Sequence, residues 1–288
     1  MTLEDQIRYW KMGLYVDKIN ASNRPYVIKT KMSVSKYKSL TIYSKLQASR
    51  TALLLLSGGI DLYYVHYVKK FIDDVNINNR DIFVPENESQ LNLCLIGEVT
   101  DFVKRRIVGK YDKLIVVGFS IGAVIGSHVL ADITGIEKRL VCIDSPICIS
   151  NMLSNATRGF SIWRPDILTL YKYTIRLATG SYSYKNILDI LSLRDYEKYL
   201  EKHFGLTNYK YWSTMYPKIK DCDIVYLFNK QDPIIIYREN RPFIRRFRRR
   251  LHRSTTWRQY ELAYDKPGHC TEFIEPNLGL INQIKTFL

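Results

Sequence analysis

Cysteine is scarce in this sequence, and its few copies are scattered. Five cysteines occur among 288 residues, with no Cys-x-x-Cys pair and no grouping of cysteine and histidine at metal-ligand spacing. The pattern therefore indicates neither a disulfide scaffold nor a zinc site, and we expect no metal or other cofactor. A low, odd number of cysteines also favours a reducing, intracellular environment.

Long hydrophobic runs are absent as well. No segment approaches the roughly 18 uninterrupted apolar residues that a membrane-spanning helix needs. The opening stretch MTLEDQIRYWKMGLY lacks the apolar core of a secretory signal. We therefore expect an intracellular, cytoplasmic protein, with peripheral attachment to a membrane as the alternative. The apolar share of 46% and the charged share of 25% exclude a wholly disordered chain.

Acidic residues are too few to balance the basic ones. The sequence has 28 acidic and 43 basic residues, which gives a formal net charge of +15. Such an excess attracts polyanions and anionic membrane surfaces, and it carries no information about the fold. The densest basic stretch is RENRPFIRRFRRRLHR at 238–253, in which Ile244, Phe247 and Leu251 recur at helical spacing.

One face of this predicted helix can pack on a core while arginines cover the other. The candidates for contact with an anionic surface are Arg245, Arg246, Arg248, Arg249, Arg250 and Arg253. The alternative is a solvated helix face, which is the commoner role of a charge run. No zinc finger or RNA-binding sheet signature is present, so we rank a phospholipid surface ahead of nucleic acid as the partner.

Strand patterns and helix patterns alternate over most of the chain. Predicted strands lie at 25–31, 39–45, 51–59, 80–86, 113–120, 139–146, 223–233 and 257–264. Helical periodicity occurs at 61–75, 89–108, 121–133, 238–251 and 276–287. Repeated alternation with apolar strands predicts an α/β fold, in which a mostly parallel central sheet is flanked by helices on both faces.

The alternation stops between residues 147 and 220. This block has no pattern of a buried strand, and helical stretches occur at 165–178 and 184–204. We therefore predict a core made of residues 1–146 and 221–288, with residues 147–220 inserted as a helical cap or lid. Such a cap would exclude water from a site beneath it and limit the size of the substrate.

The stretch LIVVGFSIGAVIG at 114–126 combines a strand, a turn and a helix. Its pentapeptide GFSIG at 118–122 matches the pattern Gly-x-Ser-x-Gly. Glycines flank the serine where strand and helix crowd together, and such a turn lifts the hydroxyl clear of the sheet. The following helix points its first N–H groups and its positive dipole end at the same place. In this context the pattern predicts that Ser120 is a nucleophile.

With this motif, the sequence resembles the α/β-hydrolase fold superfamily from residue 25 to the C-terminus. The resemblance implies a serine esterase or lipase-like enzyme whose triad follows the order serine, acid, histidine. It also implies that the acid lies in a loop after a late strand and that the histidine follows the last strand.

Candidates for both triad partners are present. His269, in YDKPGHCTEF, lies in a loop after the final predicted strand, so the resemblance makes it the general base. Asp232, in NKQDPI, follows the preceding predicted strand and would orient the imidazole. Asp144, in CIDSP, is the alternative acid, since some lipases and thioesterases of the family take their acid from that strand. Its other interpretation is a carboxylate that closes a strand by accepting hydrogen bonds from local backbone N–H groups.

An oxyanion hole needs two N–H groups aimed at the developing negative oxygen. One predicted donor is the backbone of Ile121. The other comes from Gly58, Gly59 and Ile60, with Gly59 or Ile60 as the donor. This loop resembles the His-Gly loop of the family but has Ser57 where histidine is common. The alternative for the loop is a simple tight turn between a strand and a helix.

Together these features predict a serine hydrolase that cleaves a carboxylic ester, with lipid acyl esters among the candidates, through an acyl-enzyme. A thioesterase or an acyltransferase would use the same triad. A different alternative is a hydrolase-fold protein without catalytic activity that binds partners through its basic surface.

Overall fold

Eight strands and four helices make up the portion of the chain that the structure, a computed structural model, describes: residues 33–37, 40–56, 80–86, 96–146, 216–232, 235, 237–262 and 278–288. The strands are β1 (Ser33–Tyr37), β2 (Leu40–Lys45), β3 (Thr51–Leu56), β4 (Asp81–Glu86), β5 (Lys113–Phe119), β6 (Glu137–Ile143), β7 (Cys222–Phe228) and β8 (Thr256–Glu261). The helices are α1 (Ile96–Arg106), α2 (Ile121–Ala131), α3 (Tyr237–Arg248) and α4 (Leu278–Lys285), and a short 3₁₀ helix spans Tyr216–Lys218.

The eight described strands form one sheet in the order β1-β2-β4-β3-β5-β6-β7-β8. Strands β3 to β8 run parallel, and β2 is antiparallel to both of its neighbours. The prediction of a mostly parallel sheet is therefore confirmed. The strand order reverses between β3 and β5, because the chain moves outward from β3 to β4 and then crosses to the other side of β3. The carboxyl ends of the strands at such a switch point are where open α/β sheets bind ligands.

Side chains of the central strands are buried alternately on the two faces of the sheet. On β3, Leu54 and Leu56 belong to one apolar core with residues of α1, α2 and α3. Leu53 and Leu55 belong to a second core with residues of α4. Helices therefore cover both faces, as predicted. Burial on both faces explains why the central strands are continuous apolar runs in the sequence.

The first strand, β1, is a difference from the sequence prediction. It pairs with β2, with Tyr37 opposite Leu40, although SVSKY contains only two apolar residues and therefore shows no clear period. The predicted strand at 25–31, the predicted helix at 61–75 and residues 147–215 of the predicted cap lie outside the described residues. The division into core and cap therefore stays a prediction.

The basic helix α3 packs as its spacing predicts. Ile244 and Phe247 are buried in the first core, and Leu251 packs against that core. The Phe247 ring centroid lies 3.8 Å from that of Tyr216 and 5.0 Å from that of Trp257. Because these aromatic contacts hold the apolar side of α3 against the sheet, its arginines face outward.

Candidate active site

Ser120 lies in the turn between β5 and α2, at the carboxyl edge of the sheet and beside the switch point. Its backbone has φ 51° and ψ −123°. This ψ is far from the left-handed helical region that non-glycine residues with positive φ normally adopt. Strained conformations of this kind cost about 1–3 kcal/mol and cluster at functional sites. The geometry is that of the sharp strand-to-helix turn that the motif predicts.

Gly118 allows this turn because it leaves room for the first residues of α2. A Cβ atom at Gly118 would lie 2.2 Å from both the N and Cα atoms of Ala123 and 2.6 Å from the carbonyl carbon of Gly122. These are backbone atoms, so they cannot rotate away as a side chain can. Gly126, which the motif does not include, has a similar role in the next turn of the helix, because its Cβ would lie 2.8 Å from Cγ1 of Val116.

Backbone hydrogen bonds hold the turn between its neighbours. The N–H of Ser120 donates to the carbonyl of Ile143 at the end of β6, 2.9 Å away. The N–H of Ala123 donates to the carbonyl of Ser120, 3.3 Å away. Ile121, the predicted oxyanion donor, is the first residue of α2, where N–H groups have no carbonyl partner inside the helix.

Asp144 directly follows β6 and is 1% exposed. Its Oδ1 accepts a hydrogen bond from the N–H of Asn229, 2.9 Å away. Its own N–H donates to the carbonyl of Leu227 at 3.1 Å. The carboxylate therefore accepts its hydrogen bond from backbone at the end of the neighbouring strand β7. The sequence-based alternative, hydrogen bonds from backbone N–H groups close to Asp144 in the chain, is corrected in this respect. Its role as an alternative acid stays a prediction.

Asp232 lies in a tight turn after β7 and is 3% exposed. Its Oδ1 accepts a hydrogen bond from the N–H of Ile235 at 2.8 Å, and its N–H donates to the carbonyl of Asn229 at 3.3 Å. The side chain of Asn229 in turn accepts from the N–H of Gln231 at 2.8 Å. The loop after β7 thus holds the Asp232 carboxylate at the carboxyl edge of the sheet.

No protein-family model matches the sequence, and no curated protein matches it. Solved structures do match. The esterase Pf2001 from Pyrococcus furiosus has a TM-score of 0.60 at 12% sequence identity, over 92% of this chain and 92% of that chain. The carboxylesterase CesB from Bacillus subtilis has a TM-score of 0.51 at 9% identity, over 99% of this chain and 98% of that chain. The chain has an α/β-hydrolase fold.

Because so many solved structures match, the comparison establishes the fold and does not identify the reaction. In total, 808 solved chains match, so the likeness does not single out one activity. They include Est816, described as an enzyme that degrades N-acyl homoserine lactones, with a TM-score of 0.53 at 12% identity over 89% of this chain and 100% of that chain. The structural likeness establishes the hydrolase fold. Because the sequence identities are so low, the reaction has to be argued from the site.

Tyr226, in the middle of β7, contacts the residue that follows Asp144, although no motif in the sequence points to it. Its hydroxyl donates to the carbonyl of Ser145 at 2.6 Å. Burial raises the pKa of Tyr226 well above its usual value, and the nearby Cys142, Asp144 and Asp232 raise it further. The phenol therefore lies close to both candidate acids. The available signal was a lone hydroxyl-bearing residue in the otherwise apolar run IVYLF.

The remaining predicted site residues, His269, Gly58, Gly59 and Ile60, lie outside the described residues. The strands that precede them are described. Leu56, the last residue of β3, pairs with Gly118, so the chain leaves β3 beside the serine turn. Strand β8 ends at Glu261 opposite Phe228 of β7. The structure therefore brings Ser120, Asp144 and Asp232 to one edge of the sheet, and the contacts of His269 stay a prediction.

The described residues offer neither a metal site nor a membrane span. Among them, no group of histidine, cysteine, aspartate and glutamate is arranged to hold a metal ion. None of the described helices is long and apolar enough to cross a membrane. The six arginines predicted to contact an anionic surface are all exposed: Arg245, Arg246, Arg248, Arg249, Arg250 and Arg253.

Proposed function

We propose that the chain is a serine hydrolase that cleaves carboxylic esters. The observation that carries the proposal is the backbone of Ser120, held at φ 51° and ψ −123° between β5 and α2 at the switch point of the sheet. Its side chain makes no capping hydrogen bond to α2, although serine is a preferred capping residue. A strained backbone at the edge where such sheets bind ligands favours a role in chemistry.

In the proposed reaction, Oγ of Ser120 attacks the ester carbonyl while His269 takes the hydroxyl proton. His269 then gives that proton to the leaving alkoxide, and an acyl-enzyme remains on Ser120. Water, deprotonated by His269, attacks the acyl carbonyl and releases the carboxylic acid, and the proton returns to Ser120. Asp232 holds the imidazole in the required tautomer and stabilises its charged form.

The negative oxygen of each tetrahedral intermediate would be bound by backbone N–H groups. Ile121 would supply one of them from the start of α2, where the helix dipole also favours negative charge. Gly59 or Ile60, in the loop after β3, would supply the other, and Gly58 would allow the backbone to approach closely. Removing one such donor typically slows an enzyme by about 10²–10³-fold, so these contacts are a large share of the proposed catalysis.

Two features support an ester as the substrate. Solved structures with this fold include proteins named as an esterase and as a carboxylesterase. The triad also matches acyl transfer to water without a cofactor. The same triad would act on a thioester or pass the acyl group to another acceptor, and the choice among these is tested with p-nitrophenyl esters of increasing chain length beside matched acyl thioesters.

Labelling with a fluorophosphonate probe tests the proposed nucleophile. We expect the native protein to be labelled and both Ser120→Ala and His269→Ala to lose labelling, because the probe reacts only with an activated serine. Ser127→Ala is the matched control. Ser127 is also a buried serine of this segment, but its hydroxyl donates to the carbonyl of Ala123 at 2.8 Å, so we expect full labelling.

Two results would contradict the proposal. Labelling that survives Ser120→Ala would place the reactive group elsewhere. A folded native protein that neither reacts with the probe nor hydrolyses any ester would favour the alternative of an inactive hydrolase-fold protein that binds partners through its basic surface.

A further inference from the structure

The carboxyl end of α3 and the turn after it form a surface that the proposed reaction does not use. We call it the arginine face and define it by six exposed residues: Arg245, Arg246, Arg248, Arg249, Arg250 and Arg253. The stretch 238–253 contains eight arginines and a single acid, Glu239. The positive charge here is therefore concentrated well beyond the average of an already basic chain.

The arginine face lies at the edge of the sheet opposite to Ser120. Helix α3 follows β7, returns across the sheet and leads through the turn into the amino end of β8. Strands β5 to β8 run parallel, and Ser120 follows the carboxyl end of β5. A surface that bound the arginine face would therefore leave the candidate active site pointing away from it.

Two exposed lysines extend the same surface. Lys218 and Lys220 flank Ile219, whose carbonyl accepts a hydrogen bond from the Thr255 hydroxyl at 2.7 Å. This contact ties the lysine segment to the turn that follows the arginine face. One exposed acid, Asp221, lies beside them and donates its backbone N–H to Ser254. The local balance of charge remains strongly positive.

Four members of the face, Arg245, Arg248, Arg249 and Arg253, form no ion pair with any residue that the structure describes. Their guanidinium groups are exposed to solvent, and no acidic residue among those described neutralises them. An exposed guanidinium is suited to bidentate contact with a phosphate group.

We propose that the arginine face docks the protein on a membrane surface that contains anionic phospholipid. Each basic side chain near such a surface contributes roughly fivefold to the affinity. The apolar side of α3 is buried in the core through Ile244 and Phe247, so the helix cannot insert into lipid. Docking is therefore electrostatic and reversible by salt.

A phospholipid surface fits the face better than single-stranded nucleic acid does. Stacking of bases requires exposed aromatic side chains among the basic ones. Among the described residues, the large apolar side chains that are exposed are Leu46 and Tyr260, and neither belongs to the arginine face. Tightly clustered arginines on a surface helix are typical of contact with anionic lipid headgroups.

Cosedimentation of the full-length protein with vesicles tests the proposal. The vesicles contain phosphatidylcholine alone or phosphatidylcholine mixed with phosphatidylserine. We expect binding to the mixed vesicles only, and release of the protein at high salt. The combined variant Arg245→Gln, Arg248→Gln, Arg249→Gln and Arg253→Gln should lose affinity by roughly several hundredfold, at about fivefold for each arginine.

The chain offers a control with the same change in net charge. Lys104→Gln, Arg105→Gln, Arg106→Gln and Lys110→Gln remove four exposed basic side chains from the last turn of α1 and the turn that follows it. These side chains share the edge of the sheet with the arginine face but belong to another helix, and α2 contacts both α1 and the segment at 216–218. We expect the control to bind mixed vesicles at least about tenfold more tightly than the arginine variant does.

Three results would overturn the proposal: no binding to mixed vesicles, equal weakening by the two sets of substitutions, or tighter binding to duplex DNA than to vesicles at the same salt concentration. Thermal unfolding checks that each variant is folded. If four substitutions prove too many, Arg248→Gln with Arg249→Gln should still lose roughly 25-fold in affinity. None of these readouts requires catalytic activity, so the docking proposal and the proposed function can fail independently.

Discussion

The two edges of the central sheet differ in chemistry, and the direction of the strands explains the difference. The carboxyl edge carries Ser120, Asp144 and Asp232, all buried. The amino edge carries the exposed basic ends of α1 and α3. Because α1, α2 and α3 run back across a parallel sheet, their positive N-terminal dipole ends lie toward the site and their negative C-terminal ends lie toward the basic side chains.

At the amino edge, even a buried side chain, that of Lys138, is basic. Its ammonium is buried and donates to the carbonyl of Ile133 at 2.8 Å and to that of Leu130 at 3.5 Å, at the end of α2. Burial lowers the pKa of Lys138 from its ordinary value. A basic side chain therefore satisfies the last carbonyls of the helix that begins at the serine turn. The common direction of the parallel strands thus explains why the serine turn lies at one edge of the sheet and the basic side chains at the other.

The largest expected effect is a loss of activity that distinguishes Asp232 from Asp144 at the carboxyl edge. Asp232→Asn should lower kcat for ester hydrolysis by about 10⁴-fold near neutral pH, because an amide would hold His269 in the wrong tautomer. The comparison is Asp144→Asn, which we expect to keep most of the activity, since an amide oxygen can still accept the N–H of Asn229. A steady-state measurement on both folded variants decides between them, and the reverse ranking would make Asp144 the triad acid.

Gly118→Ala tests whether close packing at the serine turn is required. We expect a loss of at least about 3 kcal/mol in the free energy of unfolding, because the new methyl group meets backbone atoms of Ala123 and Gly122. Gly97→Ala in α1 is the control, since no atom of the residues that the structure describes lies within 4 Å of its Cβ position. That variant should be neutral or slightly stabilising in denaturant unfolding. A tolerated Gly118→Ala would contradict the described turn.

The smallest expected effect is a change of stability with pH at the amino edge, where one basic side chain at the end of a helix is kept uncharged. His128 lies in the last turn of α2, where the dipole favours a cation, yet burial together with the nearby Lys218 lowers its pKa to about 4. The folded protein therefore keeps His128 neutral while the unfolded chain takes up a proton below about pH 6.5. Stability should fall by roughly 3 kcal/mol as the pH decreases from about 6.5 to about 4, and no such loss occurs above that window.

Denaturant unfolding of the native protein and of His128→Gln across this pH range measures the effect. The difference in the free energy of unfolding at pH 8 reports the packing change alone. As the pH falls, the variant should lose less stability than the native protein does. Parallel pH curves for the two proteins would show that His128 is not held neutral in the folded protein.

Some features of the fold and of the site were predictable from local patterns. The apolar runs of β3 and β5 report burial on both faces, which any parallel sheet requires. The GFSIG motif reports a crowded turn, and the Cβ contacts at Gly118 confirm that crowding. The spacing of Ile244 and Phe247 correctly separated the buried side of α3 from its exposed arginines. Each of these properties belongs to a single short segment.

Other features depend on which strands become neighbours, and no local pattern contains that information. SVSKY became a strand because β2 offered it a partner, and not because of its own polarity. Asp144 meets Asn229 across 85 positions of sequence. The position of Tyr226 near both acids likewise follows from its pairing opposite Cys142 in the register of β6 and β7.

The sequence by itself therefore determined the class of fold, the segment that carries Ser120 and the basic character of one helix, since burial, turn chemistry and charge are properties of neighbouring residues. Only the tertiary structure decided the strained backbone of Ser120, the bond from Asp144 to the end of β7 and the edge at which the arginine face lies. The physical reason is that strand order and register bring distant residues together, and these are set by the packing of the whole sheet.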